Sequence, residues 1–130
     1  MDDTGPIFRH LAVLEWETAK DQKKEVAALA ALADAQGARR SRLTTGQHGF
    51  HSHISEMPAG FTVPAHAHDT SELMVILEGS IQVHEGPHLL PGDTAVIPAD
   101  HPYGFTVGDD GVRFLVARNA DAATQFTPGG

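Results

Sequence analysis

From residue 46 onward, glycine and proline cut the chain into short apolar or alternating segments, and this punctuation limits the fold more than any other feature. HGFHSHISEM, ELMVILEG, SIQVHE, HLL, TAVIPA, YGFTV and VRFLVAR read as strands, separated by turns at PAG, GPH, PGD and GDDG. Alternate side chains of a strand face opposite sides, so each segment can bury one face and wet the other. Many short strands at this spacing predict an all-β antiparallel sandwich or barrel over residues 48–120.

The stretch ahead of it, residues 1–47, reads as an extension carrying one amphipathic helix over 19–36. Val26, Leu29, Ala30 and Ala33 form its stripe, Thr18 and Asp21 resemble a cap, and Gly37 stops it. Residues 121–130, ending in TPGG, read as a flexible tail. A chain of 130 residues fits one such domain.

Composition narrows the chemistry. The absence of cysteine excludes disulfides, thiolate metal sites and cysteine nucleophiles. A net charge of −8 argues against nucleic acid or an anionic membrane as partner. No apolar run approaches the roughly 18–20 residues of a membrane span, and the N-terminus lacks a signal-peptide pattern, so a soluble cytoplasmic protein is expected. Arg9, Lys20, Lys23, Lys24, Arg39, Arg40 and Arg42 precede Leu43, and only Arg113 and Arg118 follow. Of nine histidines, only His10 lies outside residues 48–101. A segment rich in imidazole and empty of permanent cations suits metal chemistry better than phosphate binding.

Within GFTVPAHAHDTSELMVILEG, His66 and His68 are two apart and share one side of an extended segment. Glu72 opens an apolar strand, where a lone carboxylate is costly to desolvate. With no cation nearby in sequence, a metal held by His66, His68 and Glu72 resolves that cost. Such a two-histidine, one-carboxylate set leaves coordination positions open.

The stretch resembles the first motif of the cupin family, with Gly60, His66, His68, Glu72 and Gly79 in their places. Gly92 and Pro98 fit the second motif, whereas Asp100 stands where that motif has glycine and Tyr103 where it has a fourth histidine ligand. The resemblance implies a cupin-type jelly-roll barrel, or double-stranded β-helix, with the N-terminal α-helix outside it. It also implies one divalent transition metal, iron first, with manganese, nickel, copper or zinc as alternatives.

His101, two residues before Tyr103, is a competing fourth ligand. Tyr103 itself can bond a metal-bound water, ligate as phenolate, carry a proton, or simply pack at the rim. His51 and His53 share one face of their strand, which either turns toward the site or toward solvent. Met74 and Ile76 alternate with Glu72 and, with Phe105, are expected to line an apolar substrate pocket. These residues suggest a metal-dependent enzyme acting on a small chelating organic substrate, first a non-haem dioxygenase. The alternatives are a metal-dependent lyase or isomerase using Tyr103 for proton transfer, and a non-catalytic cupin that binds or senses a small ligand. By analogy with small cupins, a homodimer is expected.

Overall fold

In the computed structural model, residues 5–17, 37–122 and 124–126 are described. They contain eight strands: β1 Arg39–Thr45, β2 His51–Met57, β3 Thr62–His68, β4 Glu72–Val83, β5 His88–Leu89, β6 Thr94–Ile97, β7 Tyr103–Arg118 and β8 Thr124–Phe126. The helix expected over 19–36 lies outside the described residues. Among those residues no helix is long and apolar enough to cross a membrane. All pairings are antiparallel, in the order β1-β2-β7-β3-β8, with β4 joined to β5, β6 and β7. This is the all-β arrangement of a jelly-roll barrel.

Two segments outside the expected barrel bounds of 48–120 join the sheet. Arg39–Thr45, from the extension, pairs with β2, and Thr124–Phe126, from the expected tail, pairs with His66–His68.

The long ribbon of β4 and β7 closes the barrel. A straight strand of 16 residues would extend about 50 Å. Yet Tyr103 at its start and Arg118 at its end both bond Glu72, so the ribbon curls fully round. The bend falls where register shifts, between Ile76 and Glu78 and between Gly79 and Ile81. Gly79 and Gly111 both take left-handed backbone there, with φ 74° and 75°. They also approach so closely that a Cβ on Gly79 would lie 1.9 Å from the Gly111 carbonyl oxygen.

Two expectations are corrected at this point. GDDG is a bend inside one strand rather than a turn between two, and ELMVILEG and SIQVHE are one strand rather than two. Bulges bend a strand without ending it, and they use the same small and polar residues as turns.

The inner face carries the core. Met74, Ile76, Phe105, Val107, Phe114 and Val116 are each 4 % exposed or less. Burying side chains of this size contributes about 1.5–3 kcal/mol each. Phe105 stacks on Tyr103 at 6.3 Å and meets Phe114 edge-on at 6.0 Å. On the outer face Glu56 joins three strands, receiving Arg39 Nη2 at 2.7 Å and Arg113 Nε at 2.6 Å. Trp16 lies against Arg39, the guanidinium 3.8 Å from its ring centre.

Candidate functional site

Cross-strand partners in an antiparallel sheet share a face, so register assembles the site row by row. Glu72 of β4 pairs with Arg118 of β7, which pairs with His51 of β2. In the next row Met74 pairs with Val116, Val116 with His53, and His53 with Arg42. Ile76, Phe114, Ser55 and Arg40 make the third. His51 and His53 therefore lie on the face that carries Glu72 and the core. Across β3 and β7, His66 pairs with Tyr103.

The site is not free of permanent cations, and this corrects the expectation drawn from residues 43–112. Arg118 donates to Glu72 Oε2 through Nη2 at 2.8 Å and through Nε at 3.1 Å. The Glu72 side chain is only 1 % exposed, so its carboxylate is buried but paired. Its other oxygen, Oε1, accepts the Tyr103 hydroxyl. Arg40 and Arg42 stand on the same face and share Glu17, at 3.0 and 3.3 Å. Glu17 is fixed further by its amide, which donates to the Arg40 carbonyl at 2.7 Å.

The histidines are oriented by their partners. His66 Nδ1 meets the Pro64 carbonyl at 2.9 Å; a carbonyl only accepts, so Nδ1 carries the proton and Nε2 the lone pair. Arg118 Nη2 lies 3.3 Å from His68 Nε2; a guanidinium only donates, so that nitrogen is the acceptor. The His66 ring lies 4.9 Å from His68 and 4.7 Å from Tyr103, centre to centre.

Burial lowers the pKa of His66, aided by Arg118 and opposed by the Pro64 hydrogen bond and Glu72. His53 is pushed well below the ordinary histidine value by burial, then by Arg40, Arg118, Arg42 and His68. Both imidazoles are neutral at pH 7. Burial, followed by the charge and hydrogen bond of Glu72, raises Tyr103 well above the ordinary tyrosine value, so its phenol keeps its proton.

The turn before Tyr103 explains the altered second motif. Asp100 takes φ 63°, the left-handed conformation a glycine would supply, which aspartate tolerates better than most residues. Its amide donates to the His68 carbonyl at 2.7 Å, tying this turn to β3. His101 is left exposed, while Tyr103 points at Glu72. Met74, Ile76 and Phe105 belong to the packed core, against which Tyr103 rests. On the other face of the sheet, Phe50, Leu73, Val96 and Ala117 wall a cleft of about 330 Å³ that borders the strand ends at Glu72 and Arg118.

Arg40, Arg42, Arg118 and Glu17 were the residues missed by sequence reasoning. The alternation in RRSRLTT and the position of Arg118 closing an alternating segment were the available signals.

Among the described residues no three His, Asp or Glu side chains converge to hold a metal. The Arg118 guanidinium bridges Glu72 Oε2 and His68 Nε2 and is the cation these two side chains meet. His66 adds an imidazole whose other nitrogen is anchored to a carbonyl, as in metal-ligating histidines.

None of the curated protein sequences matches the chain. A family model described as a cupin domain matches residues 53–118. Among solved structures, the polyketide cyclase RemF from Streptomyces resistomycificus is similar with TM-score 0.70 and 20% identity, covering 95% of this chain and 86% of that one. The DMSP lyase DddQ from Ruegeria pomeroyi gives 0.64 and 25% identity, covering 92% and 64%. A chain in the complex of Rhodobacter sphaeroides SigE with the anti-sigma ChrR gives 0.62 and 22% identity, covering 85% of this chain. The present chain spans about half of that one, 52% of its length.

Proposed function

Because the chain belongs to the cupin family, and its barrel joins a protonated phenol to a buried ion pair, we propose that it is a lyase- or isomerase-type enzyme acting on a small organic anion. The carrying observation is the Tyr103 hydroxyl donating to Glu72, whose second oxygen is held by Arg118. Tyr103 keeps its proton at neutral pH and acts as a hydrogen-bond donor rather than a base. His53, neutral and on the same face, serves as the proton acceptor. Arg118 and Arg42 supply the positive edge that meets the substrate's anionic group.

In this scheme a proton on carbon passes to His53 while Tyr103 donates to the substrate oxygen on which charge develops. Return of the His53 proton to a different carbon, with the oxygen's proton going back to Tyr103, completes an isomerisation; departure of a leaving group from the neighbouring carbon with the electron pair of its bond, as the oxygen's proton returns to Tyr103, completes an elimination. The oxygenase expected from the open three-ligand set is the less favoured chemistry, because these residues provide an acid and a base.

The test is proton exchange. Small 2-oxo and 3-hydroxy acids incubated with the purified protein in deuterium oxide should exchange a carbon-bound hydrogen, read by NMR. Tyr103→Phe should reduce the rate roughly 10²–10⁴-fold. Oxygen consumption without exchange would overturn the reading in favour of an oxygenase.

A further inference from the structure

Glu17 is held from both sides of β1. That strand ends the order β1-β2-β7-β3-β8, and the Glu17 amide donates to its Arg40 carbonyl at 2.7 Å. Trp16 lies against the Arg39 guanidinium on the outer face, whereas the Glu17 carboxylate turns to the inner face and accepts from Arg40 Nε at 3.0 Å and Arg42 Nε at 3.3 Å. With a side chain only 13 % exposed, Glu17 is a fixed part of that face rather than a loose surface group.

The N–H groups left over point to a ligand. A guanidinium carries five. Arg42 commits only Nε, to a carboxylate it shares with Arg40, and among the described residues nothing accepts from its Nη1 or Nη2. Its side chain is 34 % exposed, the most open of the three arginines on this face. Arg118 commits Nε and Nη2 to Glu72 and His68, and among the described residues nothing accepts from its Nη1. In register His53 lies between the two, pairing with Arg42 on one side and with Val116, two residues from Arg118, on the other.

The charges limit what can bind there. Arg118 is matched by Glu72, so the positive charge open to a ligand lies at Arg42, which has only a share in Glu17. One negative group answers it. A second would lose its hydration beside the carboxylates of Glu17 and Glu72, with Arg118 already matched. We propose that the site selects small monocarboxylates over dicarboxylates, and that Glu17 sets this choice by taking up part of the charge of Arg42. This names the substrate class within the proposed function, and it rests on reading this face as the seat of a small organic anion.

3-Hydroxybutyrate and malate are matched probes, because a carboxylate replaces a methyl group and nothing else changes. Ligand-observed NMR titration of the full, untagged chain should show 3-hydroxybutyrate binding at least tenfold more tightly than malate. Glu17→Gln should bind malate at least tenfold more tightly than the unaltered protein does, and Glu17→Asp, which keeps the charge, should retain the preference for 3-hydroxybutyrate. Phenylglyoxal labelling of the unaltered protein, read by peptide mass spectrometry, should slow several-fold at Arg42 with 3-hydroxybutyrate and not with the same concentration of malate. The labelling needs no variant, so it stands even where Glu17→Gln fails to fold. Malate bound as tightly as 3-hydroxybutyrate, a preference that Glu17→Gln leaves unchanged, or failure of both acids to bind overturns the proposal. Deuterium exchange separates it from the reading beneath it. Equal exchange from both acids keeps the proton chemistry and overturns the selection, whereas tighter binding of 3-hydroxybutyrate with no exchange upholds the selection and overturns the proton chemistry.

Discussion

Gly79→Ala and Gly60→Ala form a matched pair that isolates what closes the barrel. Both glycines have left-handed backbone, φ 74° and 77°, so alanine meets the same conformational cost at each, about 1–2 kcal/mol. Their surroundings differ. A Cβ at Gly60 meets nothing within 4 Å, whereas at Gly79 it would lie 1.9 Å from the Gly111 oxygen and 2.9 Å from the Val112 Cα. Ordinary contact begins at 3.4 Å, so the Gly111 carbonyl would have to retreat by about 1.5 Å. The neighbour is backbone inside a paired strand, and no side-chain rotation relieves the overlap.

Overpacking of this kind adds about 1–3 kcal/mol. Restriction of the unfolded chain by alanine applies at both positions and cancels in the comparison. For a domain of this size each kcal/mol shifts the melting temperature by roughly 3–5 °C, so Gly79→Ala should melt roughly 3–15 °C below Gly60→Ala. Differential scanning calorimetry measures the gap. Melting temperatures for the two variants within about 2 °C of each other would refute the claim that the close approach of Gly79 and Gly111 shapes the ribbon.

The remaining predictions concern charge. Breaking only one side of the buried pair, with Arg118→Gln, should destabilise the protein by roughly 3–5 kcal/mol, because Glu72 is left charged and unmatched. Adding Glu72→Gln should recover much of that loss in urea unfolding, and simple additivity would count against the pair. At Glu56 burial raises the carboxyl pKa, but the hydrogen bonds and charges of Arg113 and Arg39 outweigh it and leave the pKa lowered. A lowered folded-state pKa gives stability that is present above the unfolded carboxyl value and lost as pH falls through the folded one. Glu56→Gln should therefore melt lower at pH 7, by about 1 kcal/mol of stability, and the difference should close below about pH 4. A difference that widened in acid would contradict the assignment.

How much of this was legible in the sequence follows from how far apart the interacting residues lie. His66, His68 and Glu72 fall within seven residues, so spacing alone placed them together, and the glycines at 60, 79 and 92 marked the bends around them. Tyr103 was legible as a neighbour of His66 and Glu72 because the preceding turn keeps its length, with Asp100 supplying the left-handed conformation. Arg118 was not legible: it is 46 residues from Glu72 and reaches it only through the register of β4 and β7. Counting cations along the chain therefore gave the wrong electrostatics for the folded site. Arg40 and Arg42 were counted only among the cations ahead of Leu43, yet they lie on a strand whose alternation turns both to the inner face. GDDG misled for a local reason, since the residues that permit a turn also permit a bulged bend.

The meeting of both ends of β7 at Glu72 also determines where this chain can change length. One residue inserted within β4 or β7 would reverse the facing of every side chain beyond it, turning Tyr103 or Arg118 away from the carboxylate. The connection around Glu85 and Gly86, and the turn at Pro91 and Gly92, are exposed and lie outside the ribbon's paired register. Those two loops are where inserted sequence, such as a spectroscopic tag or a peptide epitope, would leave the three side chains on one another.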